Sequence, residues 1–171
     1  SNMTMTEVRT NKALAAKRYH PVSENIQFKD STGKGMDWVE SVVKYERPDV
    51  VILDMGDKFA DIRSERTDIT LKAAAIHARN IAKQYECAVI WMSQLSAEAE
   101  GRADLNQAMM EGSKTGKAAE ADLMILIGKT QQAEGEEEDP VRYLNIAKNK
   151  LNGYQGKITC VLDGSRSVYS A

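Results

Sequence analysis

The stretch DVVILD, residues 49–54, indicates the fold class of this chain. Four consecutive apolar residues, most of them β-branched, stand directly before an aspartate. Such a run is typical of a strand that is buried on both faces, as in a parallel sheet covered by helices. Two further runs have the same character, CAVIWMSQ at residues 87–94 and ADLMILIG at residues 121–128. The sequence therefore predicts three buried strands.

Helical patterns separate these strands. Apolar side chains recur at helical spacing in residues 35–47 and again, over a longer stretch, in residues 67–86. Residues 6–19 indicate a polar surface helix, and residues 24–30 alternate as in a short strand. This alternation of strands and helices predicts an α/β fold with a mainly parallel, twisted sheet flanked by helices.

Three shorter strand patterns end the chain, at residues 141–149, 156–163 and 167–170. The turn signals Asn152-Gly153 and Asp163-Gly164 separate them. Connections this short cannot cross over a sheet, so we expect these strands to be antiparallel.

The composition is that of one globular domain. Of the 171 residues, 42% are apolar and 28% are charged, and the formal net charge is −2. A nucleic acid would therefore have to meet a local basic patch. Cys87 and Cys160 lie in apolar runs and are expected to be buried thiols of a reducing compartment, the cytoplasm. We expect no membrane span and no signal peptide, and interpret residues 1–3 as an expression scar.

One stretch looks like a nucleotide-binding loop but does not match it. EGSKTGKAAEAD, residues 111–122, contains two glycines and a Gly-Lys pair. A phosphate loop needs four residues between its glycines and a hydroxyl after its lysine, because successive backbone N–H groups surround one anion. Only three residues separate Gly112 from Gly116, and Ala118 stands in the hydroxyl position. The sequence therefore contains no phosphate loop.

Several polar residues stand where predicted strands end, which is where open α/β sheets bind ligands. Asp54 ends the first run, a position typical of a carboxylate that holds Mg²⁺ through water. Ser93 and Gln94 end the second run. A capping aspartate and an ordinary loop are the alternatives. Lys148 and Lys150 share one strand face, where they could meet an anion or simply face solvent.

A long polar segment, residues 96–117, carries three basic residues beside glycines: Arg102, Lys114 and Lys117. Loops of this length tend to be functional or disordered. Basic side chains of this kind suit mobile contacts to a phosphate backbone. A solvated loop is the alternative, because acidic residues offset the positive charge.

Taken in order, these stretches resemble the ATPase core of ring-forming replicative DNA helicases of the DnaB type, particularly phage versions, which have a RecA-like fold. The resemblance covers roughly residues 47–169. It consists of a Walker-B strand (PDVVILDMGDKF, 48–59), a strand with a sensor glutamine (AVIWMSQLS, 88–96), the segment after the central DNA-binding loop (EGSKTGKAAEADLMILI, 111–127) and the last motif of the family (YLNIAKNKLNGYQGKITCVLD, 143–163).

The resemblance implies a role for each site residue. Asp54 would hold Mg²⁺ through water, and Ser93 and Gln94 would contact ATP or another NTP, with Gln94 sensing the γ-phosphate. Lys148 and Lys150 would reach the nucleotide of the next subunit in a ring, expected to be a hexamer. Primase would be a further partner. Single-stranded DNA would contact Arg102, Ser113, Lys114 and Lys117.

The sequence departs from the family in two places. The phosphate loop of the family should precede these elements, and the catalytic glutamate cannot be placed. We therefore expect residues 4–171 to be one partial, N-terminally truncated RecA-like domain that is inactive alone. The second departure is Lys150, which stands where the family has an arginine that acts across the subunit boundary. Lysine keeps the charge without the two-pronged geometry, and Lys148 is a second candidate for that role.

Two other functions remain open at this point. A recombinase or regulatory ATPase of the same fold would form filaments or rings without unwinding DNA. A degenerate, non-catalytic domain would serve as a DNA-binding or assembly module. A phosphate loop upstream in the same reading frame would favour an enzyme, and a natural start near Met3 or Met5 would favour the degenerate module.

Overall fold

The computed structural model describes residues 3–59, 67–111, 116–132 and 139–171, without the side chains of residues 19–23 and 67. Within these ranges the helices are α1 (Met5–Thr10), α2 (Lys12–Ser23), α3 (Met36–Glu46), α4 (Thr67–Tyr85) and α5 (Gly116–Glu120). The strands are β1 (Val50–Leu53), β2 (Ala88–Trp91), β3 (Leu123–Gly128), β4 (Val141–Asn149), β5 (Gly156–Asp163) and β6 (Val168–Ser170). Short 3₁₀ helices cover Gly56–Phe59, Ala97–Ala99 and Gln107–Met109.

The strands form two sheets. β1 and β2 pair in parallel, with Leu53 beside Trp91. The other four strands form an antiparallel sheet in the order β3-β4-β5-β6. A register shift between Met124 and Ile125 marks a bulge in β3.

Helices α3 and α4 pack on the parallel pair. α3 forms because Met36, Val39 and Val43 recur on one face, and all three are buried. The helix ends at Arg47, whose left-handed backbone (φ 49°) lets its N–H donate to the carbonyl of Val43. These side chains share a core with Leu53 of β1, Phe59 of the first 3₁₀ helix and Cys87. α4 contributes Leu71, Ala74, Ala78 and Ile81 to the same core.

A polar contact also joins α3 to α4. Glu40 lies 2.7 Å from Nε2 of His77 and accepts a hydrogen bond from the Tyr85 hydroxyl at 3.1 Å. The hydrogen bond from His77, followed by that from Tyr85, lowers the pKa of the Glu40 carboxyl below its usual range.

The predicted α/β fold with antiparallel C-terminal strands is confirmed, but its parallel part is smaller than the mainly parallel sheet that we expected. Only β1 and β2 pair in parallel among the described residues. β3 joins the antiparallel sheet because the chain reverses between Gly128 and Val141, so β4 returns directly alongside it.

The prediction that three strands are buried on both faces is wrong for the described structure. β3 alternates strictly between exposed and buried residues, and Ile125 is 49% exposed. In β1, Ile52 is 62% exposed while Leu53 is 3% exposed. α3 and α4 contribute their core side chains to one side of the parallel pair, so the alternate residues of these strands remain accessible.

The predicted strand at residues 24–30 is also absent. The side chains of Gln27 and Lys29 instead bond Glu46 at the end of α3, at 3.3 and 2.6 Å. These contacts hold the segment against a helix, and it pairs with no other strand in the described part of the chain.

Both cysteines are buried free thiols, as predicted. Burial raises the pKa of the Cys87 thiol. In the described part of the chain, no helix combines the length and the apolar character that crossing a membrane requires.

Candidate functional site

The ends of β1 and β2 bring three predicted site residues to one edge of the parallel sheet. The hydrogen-bond ladder continues past the strands, because the N–H of Met92 donates to the carbonyl of Leu53 at 3.1 Å. Asp54 follows Leu53, and Ser93 and Gln94 follow Met92. The structure therefore places Asp54, Ser93 and Gln94 at the same sheet edge, all three on exposed positions.

The chain turns sharply after Asp54. Met55 adopts a left-handed conformation (φ 52°), and the first 3₁₀ helix starts at Gly56. A Cβ atom on Gly56 would lie 2.5 Å from the indole of Trp91, so only glycine fits at this contact. The turn thereby brings Asp57 over the end of β2.

Asp57, which sequence reasoning missed, is the centre of the polar network at this edge. Its Oδ1 accepts a hydrogen bond from Trp91 Nε1 at 3.1 Å, and its Oδ2 accepts one from the Ser93 hydroxyl at 2.6 Å. The ammonium of Lys117 lies 2.9 Å from each carboxylate oxygen and 2.8 Å from Ser93 Oγ. The side chain of Lys117 is only 4% exposed, and that of Asp57 is 28% exposed.

This network excludes one chemical reading of the Ser93–Lys117 contact. A serine nucleophile needs a base that accepts its proton. Here the Ser93 hydroxyl donates to Asp57, and the Lys117 ammonium is a donor bound to the same carboxylate. Because Lys117 Nζ donates to three acceptors in this arrangement, it offers no lone pair that could accept the proton of Ser93. The arrangement is therefore suited to fixing Ser93 in place.

The predicted pair of cations, Lys148 and Lys150, lies at the other end of α5. Lys148 and Lys150 donate to the same carbonyl, that of Ala119, at 3.1 and 3.3 Å. Lys148 also bonds the carbonyl of Ala118, and Lys150 lies 3.5 Å from Asp122. The two side chains therefore point to one side, as expected from their spacing. Burial, and then the neighbouring charge of Lys150, lower the pKa of Lys148.

The residues predicted to bind DNA are distributed differently from the expectation. Arg102 is exposed, whereas Lys117 is buried, so a DNA contact by Lys117 would require its ion pair with Asp57 to break. Ser113 and Lys114 lie outside the described residues.

The polar segment around Arg102 is packed more tightly than a mobile loop. Asn145 on β4 donates to the carbonyl of Ala103 at 2.9 Å and accepts from the N–H of Leu105 at 3.3 Å. A second core forms beneath the segment, from Ala99, Leu105, Met109, Met110, Ala118, Met124 and Leu126. Residues 99–110 are therefore anchored on the antiparallel sheet, and Arg102 projects from a fixed base.

Comparison with known proteins identifies the fold. No family model matches the sequence, and no curated protein matches it. Among solved structures, an ATPase domain matches with a TM-score of 0.77 and 16% identity, over 98% of this chain and 65% of that chain. A DnaB-like replicative helicase, solved to describe its interactions with primase, matches with a TM-score of 0.75 and 17% identity, over 97% of this chain and 45% of that chain.

The chain has the RecA-like fold of these helicase ATPase domains. It spans 65% and 45% of the length of the two solved chains. In open α/β folds, ligands bind outside the carboxyl ends of the parallel strands. On this chain that position holds Asp54, Asp57, Ser93 and Gln94.

Proposed function

We propose that the chain supplies part of the ATP-driven motor domain of a DnaB-type replicative DNA helicase. The observation that carries this proposal is that Asp54, Ser93 and Gln94 follow the carboxyl ends of the paired strands β1 and β2, on the fold of helicase ATPase domains. The intact protein would couple NTP hydrolysis to movement along single-stranded DNA and to the opening of a duplex.

The residues at this edge fit an NTP bound with Mg²⁺. Mg²⁺ is usually held by one or two carboxylates, by water and by the phosphates of the substrate. The negative charge of Asp57 is balanced by its ion pair with Lys117, whereas Asp54 is exposed on the same edge. Asp54 would therefore hold the metal through water, and bound Mg²⁺ would neutralise negative charge on the phosphates. The neutral amide of Gln94 would contact the γ-phosphate.

DNA binding would involve a smaller set of residues than the sequence predicted. Arg102 projects from the anchored segment, and Ser113 and Lys114 remain candidates. Contacts of this type bind phosphates of any sequence, and their affinity falls steeply with salt. We propose Arg102, Ser113 and Lys114 as the DNA-facing residues, and we assign Lys117 to the nucleotide edge.

The ring would place Lys148 and Lys150 beside the nucleotide of a neighbouring subunit. The side chain of Lys150 is 44% exposed, so a partner can reach it. A hexamer is the expected assembly. Primase is a further proposed partner, since the DnaB-like helicase of similar fold interacts with primase.

The first test is ATP hydrolysis by the full-length protein in the presence of single-stranded DNA. We expect Asp54→Asn to lower the hydrolysis rate about 100-fold or more with folding unchanged, because an amide holds the water shell of the metal poorly. The matched control is Asp49→Asn, an exposed aspartate before the same strand. A rate for Asp54→Asn within about threefold of the wild type would contradict the assignment of Asp54.

The 171 residues by themselves should show no appreciable ATPase activity. The backbone amides and lysine of a phosphate loop supply most contacts to the phosphates, and this sequence contains no such loop. Mg²⁺-dependent turnover by the purified chain, abolished by Asp54→Ala, would contradict this expectation, because it would show that these residues alone form a complete ATPase site.

A further inference from the structure

We propose that Lys117 is a positioning residue of the nucleotide site. Through its buried ion pair with Asp57 and its hydrogen bond to Ser93, Lys117 holds the Ser93–Gln94 segment beside Asp54. The inference rests on the function proposed above for this edge. It adds a residue pair, Lys117 with Asp57, which would act through Ser93 and Gln94.

The geometry of the ammonium supports this role. A lysine ammonium has three N–H donors. Those of Lys117 meet three acceptors, at 2.9 Å from Asp57 Oδ1, 2.9 Å from Asp57 Oδ2 and 2.8 Å from Ser93 Oγ. Asp57 in turn accepts from Trp91 and Ser93. A network that includes a buried charge, and in which every member has its partners, specifies a single arrangement of the chain.

The network joins three segments that are remote in sequence. Asp57 belongs to the 3₁₀ helix after β1, Ser93 follows β2, and Lys117 is the second residue of α5. Lys117 and Asp57 are 60 positions apart. The position of Ser93 is therefore set by two elements besides its own strand.

The Ser93–Gln94 segment needs this support because it has left the sheet. β2 ends at Trp91, and the Gln94 carbonyl accepts only a long hydrogen bond, from the Glu111 N–H at 3.4 Å, before the Ser96 N–H donates to the Met109 carbonyl at 2.8 Å. Small displacements of a group that contacts the reacting phosphate reduce turnover strongly. A side chain that fixes Ser93 consequently fixes the neighbouring amide of Gln94.

Stability alone does not account for a lysine at this position. Removing two charges from water is costly, and a buried ion pair often stabilises a protein no more than apolar side chains of similar size. The best-attested use of such pairs is to specify one arrangement among several. α5 is suited to hold Lys117 for this purpose, since Lys148 and Lys150 bind its last carbonyls.

The test compares three variants of the full-length protein: Lys117→Met, the double variant Lys117→Met/Asp57→Asn, and Lys58→Met. Lys58 is exposed and adjacent to Asp57, so its variant controls for the loss of one lysine nearby. We expect both Lys117 variants to lower kcat at least about tenfold while KM for ATP stays within about threefold, because the loss affects the reacting arrangement more than ground-state binding. The double variant removes both charges, and circular dichroism verifies that it is folded.

A second measurement on the chain itself is independent of activity. The sequence has two tryptophans, and the indole N–H of Trp91 donates to Asp57. Lys117→Met should shift the NMR signal of the Trp91 indole and the amide signals of Ser93 and Gln94, while the Trp38 indole signal stays in place. Lys58→Met should leave all of these signals unchanged.

The outcomes separate the inference from the proposed function. No hydrolysis by the wild-type full-length protein would contradict the proposed function, and with it the role of Lys117 in that function. An active wild type together with a folded double variant of equal kcat would overturn the positioning role alone. Unchanged Ser93 and Gln94 signals in Lys117→Met would overturn it as well.

Discussion

Two lysines at opposite ends of α5, Lys117 within the helix and Lys150 after β4, have opposite environments. Near its start, Lys117 is 4% exposed and bonded to a carboxylate. Near its end, Lys150 is 44% exposed and lies 3.5 Å from Asp122, itself 51% exposed. Both lysines come from polar, glycine-containing stretches. Because both lysines have a carboxylate partner that is remote in sequence, the difference shows that the packing around the ion pair, and not the local sequence, decides whether a lysine is buried.

The largest effect expected from this difference concerns stability. Lys117→Met should lower the free energy of unfolding of the chain by about 2–3 kcal/mol, because it leaves the partly buried Asp57 without its cation. Lys150→Met, the matched change at the exposed end, should cost no more than about 0.5 kcal/mol. Urea denaturation followed by circular dichroism measures both.

The double variant Lys117→Met/Asp57→Asn sharpens this comparison. Its loss of stability should be smaller than that of Lys117→Met, since no unpaired charge remains buried. Equal losses for Lys117→Met and Lys150→Met would contradict the burial of Lys117.

Much of the fold followed from hydrophobic patterning. β1 and β2 were predicted from their apolar runs, and α3 and α4 from their helical spacing. The exposed faces of β1 and β3 were not predicted, because a run such as VVIL reads the same whether one or both faces are covered. Coverage depends on where helices pack, which local sequence does not contain.

The site was predictable only in part, for a similar reason. Asp54 and Ser93-Gln94 could be placed together because parallel strands end at one sheet edge. The pairing of Asp57 with Lys117 depends on a contact over 60 positions and on the turn at Met55. An aspartate three residues after Asp54, beyond a glycine, was the only local signal for it.

The next largest effect is that of Lys150, the exposed lysine, on the rate of ATP hydrolysis. In the full-length protein, Lys150→Ala should lower ATP hydrolysis at least about tenfold with ATP affinity within severalfold of normal, because a charge that acts mainly in the transition state affects rate more than binding. Lys150→Arg should be tolerated or raise the rate. Single-turnover kinetics and equilibrium nucleotide binding separate the two quantities.

Mixed rings test whether Lys150 acts on the neighbouring subunit. A Lys150→Ala subunit supplies a sound nucleotide site and a faulty neighbour, whereas an Asp54→Asn subunit supplies the reverse. Rings mixed from both should therefore recover part of the hydrolysis rate. If no ratio restores hydrolysis while each variant assembles and binds ATP, Lys150 does not act in trans.

The smallest effect concerns the charge of Lys148. Its pKa lies below the ordinary value of 10.5, first because of burial and second because of the charge of Lys150. Lys150→Met removes the second cause, so the pKa of Lys148 should rise but stay below 10.5, since burial remains. NMR titration of the Lys148 side-chain nitrogen measures this change, and Lys83→Met, at an exposed lysine of α4, is the control.

The lowered pKa of Lys148 also predicts how the stability of the chain depends on pH. Between the lowered pKa of Lys148 and 10.5, the unfolded chain binds more protons at this residue than the folded chain, so its contribution to stability rises with pH in that window. Lys150→Met raises the lower limit of this pH window, so the stability of the chain should rise less with pH. Lys83→Met should leave the pH dependence of stability unchanged. An equal pKa for Lys148 with and without Lys150 would show that the two ammonium groups do not interact, and that their shared bond to the Ala119 carbonyl does not persist in solution.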